Sequence, residues 1–308
     1  MRIAVTGAGG FIGGAIAAAA EARGWEVVRF GRRPGPGFLY WDIAGLPPAQ
    51  PPVVDAVVHT AAHVADWGPA RLFHRVNVLG TRAVAEAYPR TRLVHISSSS
   101  VYPWWEDCAD RPEEEVAPWH LGAYGRSKAL ADVEARRHPD AVVLRPHAVY
   151  GPGDRTLLPR LLSNIRGRTL LSVGHDGILH QLTHIGNLAE AALAACISGA
   201  RGAVNVADAG PVPLGAVLRE VLDATGRADV SVRYLPRPLA MAAAGASEAV
   251  AAAGGTPPRL TRYAVSQLGR QRTYRLDRLR GELGVEPIST TLADAGKWLA
   301  EPGAPRPE

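Results

Sequence analysis

From its N-terminus the chain alternates short apolar runs with stretches of helical spacing. Strand-like runs fall at Ile3–Thr6, Glu26–Phe30, Ala56–Thr60, Leu93–Ser98 and Ala141–Arg145, and helix-period segments lie near Gly10–Arg23, Pro69–Tyr88 and Tyr124–Arg137. Val-rich runs that alternate with helices are the pattern of strands buried on both faces, so an α/β fold with a doubly wound parallel sheet is expected. After Pro152 the pattern changes. Helical pieces (Leu157–Gly167, Ile185–Ile197, Leu214–Thr225) mix with brief strands (Ala203–Val206, Val230–Tyr234) and many Pro and Gly breaks. Residues 1–155 therefore read as the main domain, and residues 156–308 as a smaller lobe with some elements returning to it.

Composition narrows the classes. Nearly half of the 308 residues are apolar, enough for a sizeable core, and the 25 Pro and 33 Gly are scattered rather than massed. The chain opens straight into a strand with no charged-then-apolar leader. Leu239 to Gly255 is Ala-rich, interrupted by Glu248, and too short and weakly apolar to span a bilayer. A cytoplasmic protein without a membrane span is expected. The formal charge of +5 comes from arginines spread along the whole chain among acids, without an aromatic-basic stripe, which argues against a nucleic-acid partner. Only Lys128 and Lys297 are Lys. Cys108 and Cys196 fit no redox or metal spacing, and no His/Cys/Asp cluster has ligand spacing, so no metal is expected.

The first chemical signal is the loop after the first strand. Gly7, Gly10 and Gly13 form a GxxGxxG pattern between a strand and an Ala-rich helix. Glycines there allow a tight turn, close approach of backbone to a pyrophosphate, and close packing of helix on strand, while the helix N-terminus offers free N–H groups to phosphate. This is the pattern of a dinucleotide-binding Rossmann domain. At the end of the second strand, where an NAD site places Asp or Glu, the chain has Phe30, Gly31, Arg32 and Arg33. A guanidinium pairs with a 2′-phosphate, so NADP is the preferred cofactor and NAD the alternative; the competing reading makes Arg32 and Arg33 solvated loop residues.

Tyr124 and Lys128 stand four residues apart at the start of a helix, so phenol and ammonium share one face. A free phenol, with a pKa of about 10, is a poor base near neutrality, and a neighbouring ammonium and an oxidised nicotinamide would both lower it. The run ending Ser97, Ser98, Ser99 and Ser100 places hydroxyls at a strand end, where a parallel sheet forms its ligand crevice.

With these motifs in this order the chain resembles the extended short-chain dehydrogenase/reductase family, within the NAD-dependent epimerase/dehydratase superfamily. The likeness is close over residues 1 to about 155 and includes Asp42 and Ile43, the His59–Ala62 run, Asn77–Thr81 and Arg145–Asp154. The resemblance implies a catalytic Ser98, Tyr124 and Lys128. It implies cofactor contacts from Gly7, Gly10, Phe11, Ile12, Gly13, Arg32, Arg33, Asp42, Ile43, Thr60, Ala61, Ala62, Asn77, Ile96, Pro146, His147 and Val149. Asp42 and Ile43 would sit at the adenine, Asn77 beneath the cofactor, and Pro146 and His147 at the nicotinamide end. Ser99 and His147 would face the substrate. Pro103 departs from the family, which commonly has Gly there, and Trp104 and Trp105 behind it either shape the substrate mouth or cap a surface. The second half is nearer the 3β-hydroxysteroid and sterol dehydrogenase-like branch, on Gly174–Gly177, Thr183–Asn187 and Pro258–Thr261.

The expected function is NADP(H)-dependent interconversion of a ketone and a secondary alcohol on a mainly apolar small molecule, with Tyr124 as acid and base. Two alternatives stay open: a nucleotide-sugar epimerase or dehydratase working through transient hydride transfer, and an NADP-sensing regulator without catalysis. Non-redox chemistry on the same scaffold is a third. The resemblance also suggests a homodimer through the helices containing Asn77 and Tyr124.

Overall fold

The computed structural model describes residues 1–300 apart from 34 and 255; Gly255 and the end of the expected second lobe lie outside the described residues. Its centre is a seven-stranded parallel sheet. The strands are β1 (Arg2–Thr6), β2 (Glu26–Gly31), β3 (Phe38–Tyr40), β4 (Ala56–His59), β5 (Arg92–Ile96), β6 (Ala141–Pro146) and β7 (Gly202–Val206), in the spatial order β7-β6-β5-β4-β1-β2-β3. The order reverses at β1, and β4 and β2 flank it in parallel register. That is the topological switch point at which an α/β sheet opens a crevice at its C-terminal edge.

Alternation along each strand sends side chains to two separate cores. Ile3, Val5, Val58, Val94 and Leu144 pack with Ile16 and Ala20 of the first helix (Phe11–Ala22) and with Leu188, Ala192 and Leu193 of the Ile185–Ile197 helix. Ala4, Phe30, Val57 and Leu93 face the other way, against Val84, Tyr88, Trp41 and Ile43. The helix on that second face is interrupted. It runs from Ala70 to Phe73, widens to a π-helix over His74–Leu79, and resumes at Gly80–Ala87. The Tyr124 helix, Gly122–Arg136, packs beside it.

The two halves of the chain exchange elements. The Ile185–Ile197 helix and β7 come from the second half and complete the main sheet. In return Cys108–Arg111 leaves the first half to edge a four-stranded sheet with Val212–Pro213, Leu179–His180 and Arg272–Tyr274. A three-stranded sheet (Ile165–Arg166, Thr169–Val173, Ser231–Leu235) and the helices Leu157–Ser163, Leu214–Ala224, Arg237–Gly254 and Arg262–Leu268 form the rest of the lobe. No described helix is long and apolar enough to cross a membrane.

Under the crevice lies a buried charge pair. Asp132 of the Tyr124 helix and Arg145 of β6 are both fully buried, with Arg145 Nε and Nη2 each 2.9 Å from the carboxylate. Asp132 also accepts from Ser97 Oγ at 2.9 Å and from Arg136 Nε at 3.0 Å, while Arg145 Nη1 donates to the Glu114 carbonyl at 2.6 Å and lies 3.2 Å from the Tyr102 hydroxyl. Removing one partner of such a pair leaves an uncompensated charge in the interior. Asp132→Ala is therefore expected to destabilise the fold by about 3–5 kcal/mol. Urea unfolding of the cofactor-free protein measures this, and a loss below about 1 kcal/mol, the worth of an exposed pair, would show that the pair is not what holds the helix to the sheet.

Candidate active site

The crevice is the mouth of one continuous cavity of about 1120 Å³, lined at one end by the glycine loop and at the other by Leu157, Leu161, Leu170, Leu182, Leu214 and Leu218 of the second lobe. The loop is tight for a physical reason. Gly7 has φ +71°, and a Cβ on it would come within 2.8 Å of the Ala61 backbone. A Cβ on Gly13 would sit 2.3 Å from the Gly7 carbonyl oxygen. Gly10 caps the first helix without any side-chain acceptor, which leaves the N–H groups of its first turn free for an anion. This cradle, an uncapped helix end with no room for a Cβ, fits a dinucleotide pyrophosphate.

Most of the residues singled out from the sequence meet on this cavity wall. Gly7, Gly10, Phe11, Ile12, Gly13, Arg32, Arg33, Asp42, Ile43, Thr60, Ala61, Ala62, Ser98, Ser99, Tyr124, Pro146, His147 and Val149 all line it. Asn77, Ile96 and Lys128 stand one layer behind. Asn77, on the π-helical turn, donates from Nδ2 to the His63 carbonyl and to Ser127 Oγ, and its Oδ1 accepts from the His63 N–H. It thus ties the Thr60–His63 wall to the Tyr124 helix, a use of π-geometry that recurs at functional sites.

Lys128 is 3% exposed, and its Nζ donates to the Ile96 carbonyl at 2.7 Å. Burial brings its pKa down to about 8, against the opposing pull of Asp132. The spacing of Tyr124 and Lys128 led us to expect a phenol lowered by its ammonium. In the structure the half-buried Tyr124 is pushed up to about 12, chiefly by burial, with the Asp66 charge adding and a hydrogen bond from Ser98 opposing. Desolvation outweighs the hydroxyl, so Tyr124 holds its proton in the cofactor-free protein.

Several wall residues carry no sequence signal because they arrive from distant segments. Asp66 pairs with Arg160 across the cavity edge. Tyr263, from the short helix Arg262–Leu268, stands edge-on to Tyr124 with ring centroids 5.6 Å apart. His180 and Gln267 also line the wall. Conversely, Trp104 and Trp105 pack edge-to-face on each other, and neither lines the cavity. Among the described residues no group of His, Cys, Asp and Glu is placed to hold a metal.

The sequence profile of the NAD dependent epimerase/dehydratase family matches residues 3–207. The chain is 30% identical over 314 residues to the 2-alkyl-3-oxoalkanoate reductase of Stenotrophomonas maltophilia, covering 93% of this chain and 95% of that protein. It is also 30% identical to the decarboxylating sterol-4-alpha-carboxylate 3-dehydrogenase of Saccharomyces cerevisiae, over 80% of this chain and 77% of that one. Among solved structures it shares its fold with MoeE5 in complex with UDP-glucose and NAD, at a TM-score of 0.73 and 24% identity over 97% of this chain and 98% of that one. A profile match from the first strand through the last strand of the central sheet, with relatives that cover most of the chain, makes this protein a member of the NAD dependent epimerase/dehydratase family.

Proposed function

We propose that the chain is an NADP(H)-dependent oxidoreductase that interconverts a ketone and a secondary alcohol on a mainly apolar small molecule. One observation carries the reading: Tyr124 and Ser98 share the wall of a single cavity that joins a dinucleotide cradle to a leucine-lined end. The relatives named as a reductase and a dehydrogenase agree with chemistry at a carbinol carbon. The leucine-lined end supports a mainly apolar substrate.

The glycine loop and the first helix would hold the pyrophosphate, Asp42 and Ile43 the adenine, and Pro146, His147 and Val149 the nicotinamide end. Arg32 and Arg33 are exposed at the end of β2 on the cavity wall, unpaired with any carboxylate among the described residues, and would take the 2′-phosphate. The dinucleotide, when bound, supplies or accepts the hydride. In reduction Tyr124 passes its proton to the substrate oxygen, and Ser98 steadies that oxygen by a hydrogen bond. Lys128, held by the Ile96 carbonyl, keeps a positive charge beneath the site and would reach the ribose hydroxyls. Oxidation runs the same groups in reverse.

Fluorescence titration is expected to give tighter binding of NADPH than of NADH. Arg32→Ala or Arg33→Ala should weaken NADPH by roughly tenfold or more, the size of a lost charge-assisted contact, and leave NADH nearly unchanged. Equal or tighter binding of NADH would remove the 2′-phosphate assignment.

Tyr124→Phe is expected to lower kcat/KM for ketone reduction by about 10²–10⁴ with little change in dinucleotide affinity. Because the phenol sits at about 12 and the Lys128 ammonium at about 8, reduction should hold up to about pH 8 and decline above it as Lys128 loses its proton. A kcat/KM profile that stays level through pH 10 would rule Lys128 out as the titrating group.

A further inference from the structure

Away from the cavity the second lobe gathers three arginines in one place. Arg237 opens the Arg237–Gly254 helix, Arg270 follows the Arg262–Leu268 helix, and Arg272 begins the strand Arg272–Tyr274. A Cβ added to Gly269 would stand 3.4 Å from Arg237 Cδ, so the Arg237 side chain lies across the chain just before Arg270. Arg270 Nη1 is 3.6 Å from the Asp107 carboxylate, and Arg272 Nη1 is 3.0 Å from the sulfur of the next residue, Cys108. None of the three lines the catalytic cavity.

The three guanidiniums are short of acceptors. Arg272, 2% exposed, also donates to the carbonyls of Pro103 and Ser266, but its Nε is buried without a partner among the described residues. The Nε atoms of Arg237 and Arg270 are buried and unpartnered in the same way. Arg237 makes no hydrogen bond or ion pair with any described residue, and Arg270 has Asp107 alone. The other deeply buried arginines differ: Arg92 pairs with Asp140 and Arg145 with Asp132. Burial first, then the Arg270 charge, pull the Arg237 pKa below its ordinary value, with Asp107 opposing and Arg272 adding to the pull. An arginine stays charged wherever it is placed, so three cations here share one carboxylate. Solvation of an ordinary charged face does not account for this, because water does not reach the three Nε atoms. The heads of Arg237 and Arg270 still meet solvent, both side chains being partly exposed.

We propose that Arg237 and Arg270, over the buried charge of Arg272, bind a phosphoryl group, as inorganic phosphate or as a phosphate monoester, at a site apart from the catalytic cavity. Charge selects the ligand. Three guanidiniums against Asp107 leave two positive charges unmatched, and a phosphoryl group carries about −1.5 to −2 near neutrality. Shape agrees with charge, for a guanidinium fork takes phosphate oxygens in pairs. The site stands whether or not the chain reduces ketones. It is joined to the cavity through Arg272, which holds the Pro103 carbonyl and whose strand pairs with His180 on the cavity wall.

The test is a thermal-shift titration of the full chain with inorganic phosphate and with glycerol phosphate, ionic strength being held constant with NaCl. The wild type is expected to gain stability steadily as phosphate rises past its Kd. Arg237→Gln and Arg270→Gln should each raise the phosphate concentration needed by roughly tenfold or more, the size of a lost charge-assisted contact. The double variant Arg32→Ala, Arg33→Ala, altered in the dinucleotide cradle, should respond like the wild type. Arg237 makes no bond that the fold would miss, so in phosphate-free buffer Arg237→Gln should melt at or above the wild type. A response to both ligands assigns an open site that takes a phosphate monoester, and a response to phosphate alone assigns a site closed around the free ion. No stabilisation beyond that of NaCl, a phosphate response kept in both arginine variants, or a lower melting temperature for both in phosphate-free buffer overturns the proposal.

Discussion

The Asp132 carboxylate has no exposure to water and is satisfied entirely by Ser97, Arg136 and Arg145. Each partner sits next to something the site needs. Ser97 precedes Ser98, Arg145 precedes Pro146 and His147, and Asp132 itself lies one and two helical turns beyond Lys128 and Tyr124. Four-residue spacing keeps those three side chains on one helical face. One buried anion thus fixes the register of the Tyr124 helix against the ends of β5 and β6. A buried ion pair is weak evidence of net stability, because desolvation consumes much of its attraction. Its consequence here is geometric, for a helix shifted by one turn would lose all of these bonds together.

Below the same helix, a layer of neutral imidazoles explains why position 128 is lysine in a chain that otherwise almost always uses arginine. His59 and His95 lie tilted against each other on neighbouring strands, with ring centroids 5.2 Å apart. His59 is held between Thr6 and Thr81, while neither ring nitrogen of His95 has a partner among the described residues. Burial and the Lys128 charge push both rings below their usual pKa, His59 to about 3. The layer therefore carries one positive charge and not three. A compact ammonium can end on the single carbonyl of Ile96, whereas a planar guanidinium with five donors would leave several unsatisfied in the same space.

What could be read from the chain follows from how local each signal is. The glycine loop, the Tyr124–Lys128 spacing and the helix Ile185–Ile197 depend on residues a few positions apart, and the structure puts each element there. The strand expected over Leu93–Ser98 stops at Ile96 because Ser98 turns outward to cap a short 3₁₀ turn through Ser100. β3 escaped notice because Phe38–Tyr40 is an edge strand of three residues beside Gly and Pro, with Leu39 and Tyr40 exposed. Periodicity cannot register three residues. The widening at His74–Leu79 keeps an apolar helical pattern on either side and leaves no mark in it. Asp66, Tyr263 and His180 reach the site from segments up to about two hundred positions apart, a separation over which single-sequence spacing carries no information.

The exchange of elements between halves follows from the same limit and bears on how the cavity is closed. β7 extends the main sheet in parallel register with β6, while Cys108–Arg111 pairs with Arg272–Tyr274 in the other direction of exchange. The segment that leaves the main domain begins just after Ser98 to Tyr102, and the strand it meets carries Arg272. The Ser98 hydroxyl and the buried Arg272 guanidinium are thereby joined through one short stretch of chain, in which Arg272 also holds the Pro103 carbonyl. A hinge between two independent lobes would let the cavity open by rigid rotation. With strands swapped both ways, such a rotation would have to break sheet pairing on both sides.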